Sequence, residues 1–155
     1  MLANIELYDT QVACNGDNPT LNCFYEHGTY QSGYRYYRRT IGSTYDNDAK
    51  TIVATFLVQT KAGNSWQLKF RKAQLNTDNI DRYPDDINLG NPVSKVAEDV
   101  LQFDGQYKFI AFDSRFTLGM IVTNSKFPSN QDLAGEPAPE EGTELDAYLK
   151  WEYRF

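Results

Sequence analysis

With 155 residues, 41% of them hydrophobic and 23% charged, the chain has enough apolar material for one folded domain and too much for wholesale disorder. A formal net charge of -6 repels phosphate backbones and anionic surfaces, so neither nucleic acid nor a membrane is an expected partner. One histidine and two cysteines remove most catalytic and metal-binding toolkits.

The opening MLANIELYDT has neither the basic start nor the apolar core of a secretory leader, and no run of about 18 apolar residues follows anywhere. A first strand is expected within Ala3–Ala13. Cys14 and Cys23 then bracket NGDNPTLN, whose Asn-Gly and Asn-Pro pairs mark turns. A disulfide between them and two separate reduced thiols are alternative readings of that loop. His27, in Tyr-Glu-His-Gly, has no nucleophile motif to serve and reads as a loop histidine.

Tyr30–Ile41 is predicted as one strand carrying the most distinctive local run, Tyr34-Arg35-Tyr36-Tyr37-Arg38-Arg39. Tyr and Arg dominate binding hot spots because each offers a large rigid surface with a polar end. This stripe is therefore the candidate binding surface; tyrosines at a core margin with arginines paired to acids would look the same. If it binds, Arg35→Ala and Tyr37→Ala weaken assembly and leave thermal stability unchanged.

Thr51–Thr60 is apolar on both faces, as a central strand would be, and Ser65–Leu75 alternates Trp66, Leu68 and Phe70 against Gln67, Lys69 and Arg71. The link KAGNS predicts an antiparallel hairpin between them. Asn76–Asn91 reads as a long loop holding the densest acidic cluster, Asp78, Asp81, Asp85 and Asp86. Close-set Asp and Asn oxygens suit calcium, the one cofactor the composition admits, yet the spacing fails the EF-hand template and fits a solvated turn equally well. No other cofactor is implied.

Asn91-Pro92 with Val93, Val96, Val100 and Leu101 at helical spacing predicts at most one short helix near residues 92–101. The competing reading makes Val100–Phe103 a strand that turns at Asp104-Gly105. Tyr107–Phe112 and Phe116–Thr123 form a hairpin through Asp113-Ser114-Arg115, and Lys126–Thr143, rich in proline and acids, is a second long loop. Leu145–Phe155 closes the chain with the cleanest alternation, Leu145, Ala147, Leu149, Trp151, Tyr153 and Phe155 on one face. Trp66 and Trp151 are expected in a core, since both lie on apolar faces.

The expected fold is all-β: a single antiparallel β-sandwich or jelly-roll-like domain over residues 1–155, with six to eight strands. Its 21 acids single out no catalytic pair, so the chain reads as non-enzymatic. The leading functional expectation is a structural or assembly subunit of a virion capsid, decoration, tail or filament. It would act through contacts with other protein subunits, most simply copies of itself, in a virion or extracellular assembly. The alternative is a lectin-like module that binds glycans, with or without calcium.

Overall fold

The two-residue period seen in the sequence is the period of the fold. In the computed structural model, the residues described are 1–11, 35–36, 39–40, 45, 48–77, 79, 94, 96–128 and 140–153. They form β1 (Leu2–Asp9), β2 (Arg35–Tyr36), β3 (Arg39–Thr40), β4 (Ala49–Gln59), β5 (Ser65–Leu75), β6 (Glu98–Ala111), β7 (Ser114–Lys126) and β8 (Gly142–Tyr153). The chain is all-β and antiparallel, consistent with a sandwich-like all-β class. Six strands share one sheet in the order β1-β4-β5-β6-β7-β8, and β2 pairs with β3 in a separate ribbon. Neighbours in the sheet are neighbours in sequence apart from that ribbon, so the connections make a meander.

Two tight turns fix the register. Between β4 and β5, Gly63 takes φ +84°, its N–H donates to Thr60 O at 3.1 Å, and Thr60 N donates to Asn64 O at 2.8 Å. The positive φ is why glycine stands there. Between β6 and β7 only Phe112 and Asp113 lie outside the strands, with φ +50° and +53°. Two left-handed residues in succession make a type I′ turn, whose twist matches that of the flanking strands. The turn therefore falls one residue before the expected Asp113-Ser114-Arg115, and Ser114 and Arg115 pair with Ala111 and Ile110.

Three further expectations are corrected. No helix forms among the described residues of 92–101: the chain enters β6 at Glu98, and Val100 and Leu101 pair with Ala73 and Lys72. A waiting sheet edge outweighs weak helical spacing. Asp104-Gly105 is no turn either, because β6 runs straight through with Gly105 opposite both Leu68 and Met120. Finally, Tyr30–Ile41 is not one extended strand. Arg35 pairs with Thr40 and Tyr36 with Arg39, so the chain reverses between them.

The buried apolar cluster sits at one end of the sheet. Ala49, Ala73 and Leu75 form a small cluster with Tyr45 and Val100 packed on it. Around it Ala49 N donates to Thr10 Oγ1 at 3.0 Å, Thr77 Oγ1 donates to Asp48 Oδ2, and Ala97 N donates to Asn79 Oδ1 at 2.8 Å. These bonds tie down the places where the longer connections leave the sheet.

Candidate functional site

Register decides which side chains share a face, since directly opposed residues of an antiparallel pair point the same way. Tracing the pairs across the sheet gives one continuous face made of Ile5 and Leu7; Ile52, Phe56 and Val58; Trp66, Leu68 and Phe70; Leu101, Phe103, Tyr107 and Phe109; Phe116, Leu118, Met120 and Val122; and Leu145, Leu149, Trp151 and Tyr153. The opposite face carries Asn4 and Glu6; Gln67, Lys69 and Arg71; Gln102, Asp104, Gln106 and Lys108; Arg115, Thr117 and Thr123; and Glu144, Asp146, Lys150 and Glu152.

On the inner strands the apolar face is the more exposed of the two, and on β1 and β8 both faces are exposed. Trp66 is 50% exposed, Phe70 45%, Leu118 47% and Trp151 64%. On the other side Gln67, Lys69, Arg71, Gln102 and Asp104 are partly buried, and Thr117 is buried. The expected core placement of Trp66 and Trp151 is thus corrected: the strands are as read, but their apolar side is the open one among the described residues.

The apolar face has two distinct borders. Towards the tight turns it ends in aromatic rings: Trp66 stacks on Tyr107 at 4.0 Å, Tyr107 on Phe109 at 5.4 Å, and Phe109 on Phe116 at 5.3 Å. Trp151 lies opposite Phe116, and Tyr153 ends the same file. Towards the other end the face turns polar in a single cross-strand rank, Asp9–Lys50–Gln74–Asp99–Lys126. The β1–β4, β5–β6 and β7–β8 connections all leave from that polar end; the tight turns occupy the aromatic end.

The polar face is knitted across strands. Arg71 Nη1 donates to Tyr45 Oη at 3.3 Å and Nη2 to Gln102 Oε1 at 2.6 Å, and Gln102 Nε2 donates to Thr123 Oγ1 at 2.8 Å. On β1, Tyr8 Oη donates to Glu6 Oε2 at 2.5 Å, and that bond raises the Tyr8 phenol above its ordinary range. Near the tight turns Lys150 Nζ lies 2.9 Å from Glu152 Oε1, with Arg115 opposite Glu152 and Lys108 one rank away. The Lys150 contact, reinforced by Arg115 and Lys108, holds the Glu152 carboxyl below the usual carboxylate range. Gly119 is on this face because the Tyr148 ring lies over it: a Cβ there would fall 2.1 Å from the ring.

Cys14, Cys23, His27, Tyr34, Tyr37, Arg38, Asp78, Asp81, Asp85 and Asp86 lie outside the described residues. Arg35, Tyr36 and Arg39 belong to the β2–β3 ribbon, apart from the six-stranded sheet. The described residues contain no group of three or more His, Cys, Asp or Glu able to hold a metal. The network of Arg71, Gln102 and Thr123 was not foreseen, because it exists only once three strands are in register.

A family model described as capsule assembly protein Wzi matches residues 3–136, which takes in β1 to β7. No curated protein and no solved structure is matched. The match supports a structural, assembly-related role, as expected. It gives no support to phage, virion or capsid, nor to a lectin-like module, since the assembly it points to is a capsule. No helix among the described residues is long and apolar enough to cross a membrane, which leaves spanning by strands open.

Proposed function

The chain belongs to the capsule assembly protein Wzi family, and from that premise we propose that its sheet is a section of membrane-spanning β-barrel wall that serves capsule assembly at the cell surface. The apolar face meets lipid and the polar face meets a water-filled interior. One observation carries this reading: large apolar side chains are exposed across the sheet, while on its inner strands β5 to β7 the charged and amide side chains of the reverse face are partly buried.

Size supports it. Six strands at about 4.8 Å spacing are about 29 Å wide. From Leu101 to Phe109 along β6 is eight steps, about 26 Å at roughly 3.3 Å each. The apolar patch is therefore on the order of 700 Å², beyond the few hundred Å² that a soluble monomer leaves open. Tilted by about 40°, the same stretch is about 20 Å tall, close to the ≈ 25 Å apolar band of outer-membrane barrels. Strands β4 to β8, of 11 to 14 residues, meet or exceed the roughly 9–11 needed to span with tilt.

The borders support it too. Rings with one apolar and one polar end settle where hydrocarbon meets headgroups, as the row from Trp66 to Tyr153 would. Tight turns at one end and long connections at the other are the asymmetry of such barrels. The role drawn here is non-enzymatic: the wall holds a polar passage and presents the long connections to assembly partners.

The test is tryptophan quenching in vesicles with brominated acyl chains. Trp66 and Trp151 emission should fall, most with bromines near the headgroup. Undiminished emission in a folded, vesicle-bound protein overturns the proposal.

A further inference from the structure

Two files of the apolar face end in lysine at the same place. On β4 the sequence of outward side chains is Val58, Phe56, Ala54, Ile52, Lys50; on β5 it is Trp66, Leu68, Phe70, Lys72. Lys72 lies directly opposite Ile52, which lies opposite Leu7; Lys50 lies opposite both Asp9 and Gln74. These six side chains line an open groove of about 470 Å³ where the apolar band gives way to the polar rank.

We propose that this groove seats the phosphate-bearing headgroup of a membrane lipid, with Lys50 and Lys72 on the phosphate and Leu7 and Ile52 against the start of an acyl chain. The proposal rests on the barrel reading and names a ligand for one place on its lipid-facing side.

The chemistry is two-part. Leu7 is 75% exposed and Ile52 42%, an apolar floor continuous with the band below. A lysine stem lies along such a surface while its ammonium reaches the polar layer. The charge balance favours an anion. Among the described residues Asp9 is the one carboxylate lining the groove, and its Oδ1 already accepts from Gln11 N at 3.0 Å. Asp99, in the next strand, accepts from Gln74 Nε2 at 3.2 Å and faces Lys126. Two ammoniums against one carboxylate leave a single positive charge, the complement of a phosphodiester. A soluble anion would use the ammoniums and ignore the apolar floor; a lipid uses both.

The experiment compares spin-labelled phosphatidylglycerol with spin-labelled phosphatidylcholine as boundary lipids of the full chain in phosphatidylcholine vesicles. Near a membrane surface each basic residue attracts anionic lipid by about 1 kcal/mol, about five-fold in association. Wild type should prefer the anionic lipid, Lys50→Gln and Lys72→Gln should each lower the preference by about five-fold, and Lys126→Gln should lower it far less. Inorganic phosphate should leave the selectivity unchanged. Equal selectivity in the wild type and the Lys50→Gln/Lys72→Gln double variant overturns the proposal, as does displacement by inorganic phosphate, which would make this a site for a free anion. Loss of acyl-chain quenching of Trp66 and Trp151 would instead remove the barrel reading, so the two failures are distinguishable.

Discussion

Replacing Met120 by arginine separates a lipid-facing sheet from a water-facing one by magnitude. Met120 lies midway along the apolar stretch of β7, 42% exposed, with Gly105 opposite on one side and Ala147 on the other. A side chain this exposed can extend away from the sheet, so overpacking contributes little and the change reports polarity. In water, a substitution at so exposed a position should alter stability by no more than about 0.5 kcal/mol. At the middle of a bilayer, arginine on the lipid face of a barrel costs about 2–4 kcal/mol. Met120→Arg therefore lowers the folding constant by about 30- to 700-fold on a lipid face and by no more than about two-fold on a water face. The assay is an equilibrium guanidinium titration of protein folded into vesicles, with Gln74→Arg as the border control. Gln74 faces the polar rank, and arginine there can still donate to Asp99, so its cost should be about 0–1 kcal/mol. If Met120→Arg matches wild type or its control, the lipid-facing assignment is refuted. A large loss without acyl-chain quenching would mean that protein, not lipid, covers the face.

Three further outcomes are expected. Gly119→Ala drives a methyl into the Tyr148 ring and should destabilise by about 1–3 kcal/mol, and Tyr148→Ala in the same chain should remove most of that cost; additive losses in the double variant would argue against the contact. Gln102→Leu takes the acceptor from Arg71 Nη2 and the donor from Thr123, for about 1–3 kcal/mol in denaturant titration, whereas Gln102→Glu should retain the guanidinium bond and most of the stability. Glu152, held below the usual carboxylate range by Lys150, stabilises the folded state above its unfolded pKa, and that contribution disappears as pH falls through the lower folded pKa. Stability measured against pH should therefore converge for wild type and Glu152→Gln on the acid side and diverge near neutrality; parallel curves would show that the pair contributes nothing.

Local chemistry made much of this protein readable without coordinates. Ser65–Leu75 was recognisable as a strand to the residue, because extended dihedrals place alternate side chains on opposite sides and its sequence alternates from Trp66 through Arg71. The KAGNS hairpin followed from the need for a glycine at positive φ. Where local signals were divided, pairing partners chose: Val100 and Leu101 joined the sheet in place of a helical turn, and Gly105 continued a strand between Leu68 and Met120 in place of a bend. Alternation reports that a strand has two unlike faces; it is silent on which one points inward. The same Trp66, Leu68 and Phe70 would turn to a core in water and outward in hydrocarbon, and only the assembled sheet shows them on its open side, with Arg71, Gln102 and Thr123 bonded across the other.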